Sequence, residues 1–154
     1  MSDIYSERKR SEVMSRISGQ DTALEGMVRR GLFAKGFRYR KNLRSLPGKP
    51  DIVLAKYRAI IFVHGCFWHG HHGCKRSTIP TTRTDFWRAK IGRTMERDKE
   101  KTEALLATGW RVAVIWQCSL KGSDVTLSTV NALADWIRSD RSWIEMPPLN
   151  KHRS

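Results

Sequence analysis

The sequence predicts an α/β protein built on one mixed central sheet flanked by helices. Three observations carry this reading: a helical apolar stripe early in the chain, two continuous apolar runs of strand length, and between them a long charged segment with helix start and stop signals.

The elements follow in order. Thr22-Ala-Leu-Glu25 has the pattern of a capping box, and Leu24, Met27, Val28 and Leu32 then fall on one helical face that ends at Gly36. From Phe37 the period shortens. Phe37-Arg-Tyr-Arg40 alternates like a strand, Leu46-Pro-Gly-Lys-Pro50 is a turn, and Asp51-Ile-Val-Leu54 is a short strand. Ala59-Ile-Ile-Phe-Val63 is apolar throughout, as expected of a strand covered on both faces. A helix from Thr84 to Thr108 closes at Gly109, the strand Trp110-Arg-Val-Ala-Val-Ile-Trp116 follows, and a helix around Thr126 to Arg138 completes the set. The expected division is a basic segment over 1–20, one domain over 21–138, and a loose tail over 139–154 that contains Pro147-Pro148.

The chain of 154 residues suits a single core, and no apolar run is long enough to span a bilayer. Lys and Arg number 29 against 15 Asp and Glu, a formal charge of +14. The excess is spread over residues 8–10, 29–49, 75–97 and 151–153, a field that draws phosphate backbones from a distance. Nucleic acid is the expected partner. An anionic membrane is the weaker candidate, because no basic amphipathic helix with an aromatic apolar face is present. The N-terminus lacks the apolar stretch of a signal peptide, so a reducing cytoplasm is expected and metal is favoured over disulfide.

His64-Gly-Cys-Phe-Trp-His-Gly-His-His-Gly-Cys74 holds two cysteines and four histidines, a density that neither core nor surface requires. The third cysteine, Cys118, lies just past an apolar strand and can return to the same place. Cys66, His71, Cys74 and Cys118 make a zinc-like set whose four ligands leave no position open for water, hence a structural site. His71 and His72 compete for the imidazole position, and spacing does not separate them. The bland alternative, unpaired thiols near surface histidines, leaves all three cysteines without a purpose.

Two further features meet at strand ends. If the second and third strands pair across Ala55-Lys-Tyr-Arg58, Asp51 and His64 come together. A carboxylate beside a backbone carbonyl under such charge suits magnesium, which supports attack on a phosphate, and His64 and His69 are placed to shuttle a proton or steady the phosphate. The competing reading leaves Asp51 in a Pro-Asp turn and the histidines as padding of the metal loop. Phe67 and Trp68, beside that loop, are candidates for wedging into a base stack, whereas Trp110, Trp116 and Trp136 sit where core residues belong and Trp143 fits neither group.

Pro50-Asp51, the run Phe62-Val-His-Gly-Cys-Phe-Trp-His69, Thr82-Arg-Thr-Asp-Phe-Trp87, Lys90-Ile-Gly92, Glu96-Arg-Asp98 and Gly109-Trp-Arg-Val112 together resemble the very short patch repair (Vsr) mismatch endonucleases over roughly residues 10–118. The resemblance implies a restriction-endonuclease-like fold, a structural Zn2+, and Mg2+-dependent nicking of double-stranded DNA 5′ of the thymine in a T:G mismatch left by deamination of 5-methylcytosine. It implies Asp51 and the backbone carbonyl of Val63 as magnesium ligands, His69 as general base, His64 as a phosphate contact, and Glu25 as a carboxylate ordering water around the metal. A capping box alone already accounts for Glu25. The resemblance also implies Cys66, His71, Cys74 and Cys118 as zinc ligands, although Gly73 makes the ligand spacing one residue longer than the familiar form. Trp87 resembles a third wedge, Lys90 a residue that reads the mismatch from the major groove, and Met14 a contact from the opposite groove. Thr94 stands where an asparagine is expected. A monomer is expected, with mismatch-repair proteins as candidate partners. The rival function is a zinc-containing DNA-binding module without cleavage; a zinc deaminase is disfavoured because no His-x-Glu with a later Pro-Cys-x-x-Cys occurs.

Overall fold

The computed structural model describes residues 23–41 and 43–148. Helix α1 covers residues 23–34, and Leu24, Met27, Val28 and Leu32 point from it into the core, as the stripe predicts. Met14, Thr22 and the basic ends of the chain lie outside the described residues, and so does the capping contact expected of Thr22.

Five strands form one sheet in the order β1 (Arg40–Lys41), β2 (Ile52–Leu54), β3 (Ala59–His64), β4 (Arg111–Trp116) and β5 (Trp143–Met146). The first three run antiparallel to their neighbours, while β3, β4 and β5 are parallel. Parallel neighbours need a crossover, which α2 (Thr84–Ala107) supplies between β3 and β4 and α3 (Ser123–Arg138) between β4 and β5. The β2–β3 hairpin turns through Ala55–Tyr57 and Arg58, as expected. Arg58 then ties the hairpin to the end of α2: its guanidinium donates to the carbonyls of Thr108 and Gly109 and lies 4.6 Å from the Trp110 ring centroid.

Strand alternation divides the side chains into two layers. Ala59, Ile61 and Val63 of β3 and Ala113 and Ile115 of β4 pack against Val28 and Leu32 of α1 and Val130, Leu133, Trp136 and Ile137 of α3. Ile60 and Phe62 of β3, with Val112, Val114 and Trp116 of β4, face Leu105 of α2 and reach Cys66. Both layers are apolar, which explains why β3 and β4 read as unbroken apolar runs.

Two elements differ from expectation. The alternation from Phe37 to Arg40 yields only the short β1, because Phe37 is buried in the α1 layer, its ring 5.6 Å from that of Tyr57, without pairing to a strand. The stretch after Ser139, expected to be loose, contributes β5. Ile144 and Met146 pack on the α1/α3 layer while the strand pairs with β4, so a segment with two prolines just behind it is still held by its alternate apolar residues.

Candidate active site and metal cluster

The functional residues collect where β2 begins and where β3 and β4 end. β2 starts at Ile52, paired with Ile61. Just beyond that last pair, Asp51 accepts the backbone N–H of Val63 through Oδ2 at 2.7 Å. The hairpin thus brings the carboxylate beside the Val63 backbone and one residue from His64. A bare Pro-Asp turn would not require this cross-strand bond.

After His64 the chain folds into a compact loop. His71 donates its N–H to the Cys66 carbonyl, Cys66 donates its own to Gln117 Oε1, and the Ser77 hydroxyl bonds the carbonyls of His71 and Cys74. Gly70 is the pivot of this loop. It has φ of +64°, and an added Cβ would lie 2.9 Å from Ile91 Cγ2 and 2.6 Å from Met95 Sδ on α2, so a side chain meets both strain and collision.

On one side of the pivot, Cys66, His71, Cys74 and Cys118 bring their ligand atoms within 4.8 Å of one another. His71 Nδ1 lies 3.5 Å from Cys66 Sγ and 3.6 Å from Cys118 Sγ. A tetrahedral ion with metal–sulfur bonds of about 2.3 Å and metal–nitrogen bonds of about 2.0–2.1 Å sets sulfur and nitrogen about 3.6 Å apart. The cluster therefore fits a metal ion. Of the two neighbouring histidines, His71 is 3% exposed and stands inside the cluster, while His72 is exposed and outside it. A hydrogen bond between Cys66 and Cys118, together with burial, pushes the Cys66 thiol up, and the same bond pulls Cys118 down. A bound cation would instead take both as thiolates.

On the other side stands a second group. His69 Nδ1 is 2.6 Å from Asp98 Oδ2, and the His64 and His69 rings are stacked at 3.8 Å with their planes 4° apart. Although His64, His69 and Asp98 are close enough to be considered for a metal, stacked rings aim their lone pairs along parallel planes. An ion at bonding distance in one plane lies far out of the other, so the arrangement suits proton handling. Burial, followed by repulsion from His69, lowers His64 to about 3, and the ring is neutral at ordinary pH. Burial alone would raise Asp98, but its hydrogen bond to His69 outweighs this and holds it below the usual carboxylate range. An ionised Asp98 places the proton of His69 on Nδ1 and leaves Nε2 as the basic nitrogen. A cleft of about 430 Å³ opens beside this pair, lined among others by His64, His69, Asp98, Trp116 and Glu145.

Phe67, Trp68 and Trp87 form one half-buried aromatic group, with ring centroids 5.1, 5.6 and 5.7 Å apart. Lys90 lies one turn along α2 from Trp87, and the Thr94 hydroxyl is turned back onto the Lys90 carbonyl at 3.2 Å. Glu25 is held by Arg29 at 3.2 Å within α1 and joins neither ligand cluster.

Sequence reasoning gave three residues here no role. Asp98 lies seven positions after Ile91 and three after Met95, on the face of α2 that meets the loop; a carboxylate on that face was the available signal. Phe86 extends the aromatic group at 5.1 Å from Trp87, with Arg83 over its ring. Glu145, which accepts a bond from Trp116 Nε1, belongs to the unexpected strand and carried no signal.

A basic α/β protein with a closed Cys3His cluster and an Asp–His dyad beside a strand-end carboxylate belongs among phosphate-directed enzymes more readily than among simple binding folds. Comparison with known proteins defines the family. The sequence model of the family described as DNA mismatch endonuclease Vsr matches residues 2–76. The DNA mismatch endonuclease Vsr of Escherichia coli is 41% identical over 139 residues, covering 89% of this chain and 88% of the relative. The type II nicking enzyme V.NmeAIP of Neisseria meningitidis is 45% identical over 138 residues, 90% of this chain and 98% of its own length. V.XorIIP of Xanthomonas oryzae, also a type II nicking enzyme, is 46% identical over 120 residues, covering 78% of this chain and 88% of the relative. The chain belongs to the Vsr family of DNA mismatch endonucleases.

Proposed function

We propose that this protein is a restriction-endonuclease-like enzyme that nicks double-stranded DNA 5′ of the thymine in a T:G mismatch, with magnesium at the reacting phosphate and zinc in the Cys3His cluster. The observation that carries the reading is the meeting of Asp51, bound to the Val63 backbone, with the His64–His69–Asp98 array at the next residue of the same strand. Relatives that share most of this chain are named as mismatch or nicking endonucleases, which supports the reaction class.

The donor sets fit two different ions. The Asp51 carboxylate and the Val63 carbonyl are hard oxygen ligands of the kind magnesium takes, whereas three sulfurs and one imidazole suit zinc. Bound magnesium would stabilise charge on the phosphate and favour deprotonation of water. His69, with its Nδ1 proton held by Asp98, presents Nε2 to take a proton from the attacking water, and the charge gained on the ring is met by the carboxylate. Neutral His64 donates a hydrogen bond to a phosphate oxygen. Glu25 orders water at the metal. Phe67, Trp68 and Trp87 enter the base stack at the mismatch, where the step opens most easily, while Lys90 reads the guanine edge and Met14 meets the other groove.

A nicking assay on duplexes that differ only in one T:G or C:G pair, with and without magnesium, tests the function. A nick confined to the T:G duplex with magnesium is expected; equal binding with no nick on either would leave a DNA-binding module. The zinc assignment has its own test. Cys118→Ser should lower zinc content and melting temperature together, because metal binding contributes to folding free energy; full zinc content with unchanged melting would remove Cys118 from the cluster.

A further inference from the structure

A continuous set of ring contacts joins the metal cluster to the histidine pair. Trp116 lies face to face with His71, centroids 4.2 Å apart and planes 8° from parallel, and its edge meets His64 at 5.2 Å and 70°. His64 in turn stacks on His69. Trp116 and His64 are opposite residues in the β3–β4 ladder, so strand pairing itself fixes their approach.

The two histidines are held differently. His69 is oriented by its short bond to Asp98. The Nδ1 of His64 is buried and, among the described residues, makes no hydrogen bond, so packing against neighbouring rings has to set the attitude of this imidazole. Those neighbours are Phe62 at 5.7 Å, His69 and Trp116. Trp116 is itself locked: its Nε1–H donates to Glu145 Oε2 at 2.7 Å. Glu145 stands on β5 opposite Val114, on the side of the sheet that Trp116 faces, and this bond opposes rotation of the ring away from it.

We infer that Trp116 and Glu145 are positioning residues for the nicking reaction: Glu145 fixes the indole, and the indole, seated between the metal-cluster histidine and His64, sets the placement of the His64–His69 stack. The inference rests on the catalytic reading of those histidines given above. It assigns β5 a purpose beyond closing the sheet, and it makes the Cys3His cluster a buttress of the reacting groups as well as of the fold.

The test uses the zinc-loaded full chain and reads ring 1H–15N resonances of His64 and His69, zinc content, affinity for T:G duplex without magnesium, and the single-turnover nicking rate. Glu145→Ala should move the His64 and His69 resonances and slow nicking about ten-fold, inside the hundred-fold that a misplacement of about 1 Å can bring, with affinity and zinc content kept within about two-fold. Glu145→Gln, whose amide oxygen accepts the same bond, should restore most of the rate. Trp116→Phe keeps an aromatic ring without the N–H and should move the same resonances, which covers the case of a poorly folding Glu145→Ala. Unmoved resonances with an unchanged rate would overturn the inference, as would a slower rate that only follows zinc loss. If His69→Ala nicks at the full rate in the same assay, the catalytic reading fails instead, while the resonance shifts still report on positioning.

Discussion

The two layers beside the central sheet are made from the same strands and do different things. Towards α1 and α3, Ile61, Val63 and Ile115 meet Val28, Leu133 and Trp136 in an unbroken apolar core. Towards α2, the alternate residues of those strands begin the same way with Ile60 and Val112, then pass at the strand ends into His64, Trp116 and the metal cluster. Alternation therefore lets one six-residue strand turn one face to the apolar core and the other to the histidine pair proposed to do the chemistry. A substitution on the first face should change how much protein is folded; one at the end of the second should change what folded protein does.

Asp51→Ala sharpens that contrast most. It removes charge stabilisation at the reacting phosphate and should lower nicking by about 100- to 1000-fold or more, with T:G duplex binding retained. Nicking at the wild-type rate would sink the assignment. On the other layer, Leu133→Ala should cost about 2–5 kcal/mol in chemical denaturation, through the lost side chain and the cavity it leaves, while the rate per folded molecule stays the same. A lower rate per folded molecule would mean that the layers are coupled.

Trp68→Ala belongs to the chemical face without being part of its core. It should weaken duplex affinity by about 1–3 kcal/mol, the scale of base stacking on an aromatic ring, with little change in stability. Strong destabilisation with unchanged affinity would return Trp68 to the core. The effect that shows only on acidification concerns His64, which burial lowers to about 3 from its usual 6.5. Between those values the unfolded chain takes up a proton that the folded protein refuses, so stability falls as pH drops through that window. The slope for one such group reaches about 1.4 kcal/mol per pH unit, and His64→Gln should flatten the denaturation profile by part of that amount. Profiles that remain parallel would mean that His64 takes a proton in the folded state.

The legible parts of the molecule were those in which residue type alone limits the choices. β3 and β4 were readable because a doubly covered strand must be apolar at every position, and α1 because Leu24, Val28 and Leu32 repeat at helical spacing. The Cys3His set was readable because three cysteines could all serve one centre. The choice of His71 over His72 was not, since it depends on how the loop turns about Gly70 and Gly73, and a one-residue difference in spacing does not reveal that turn. Asp98 was visible as part of a motif, but its role was not, since among the many charges of α2 only docking against the loop sets it beside His69. β5 was hidden because four residues, one of them charged, carry too little pattern to outweigh the prolines that follow.

Gly70 stands between His69 and His71, and thus between the dyad and the metal cluster. One methyl group there would force a left-handed backbone at a penalty on the order of 1–3 kcal/mol and would press on Ile91 and Met95. Either the Ile91 and Met95 side chains or the loop would have to give way, and a loop that moves carries with it an imidazole on each side of the pivot. A missense allele at this codon is accordingly expected to disturb the proposed proton transfer and metal retention together, whereas a change confined to either centre is expected to disturb one of them.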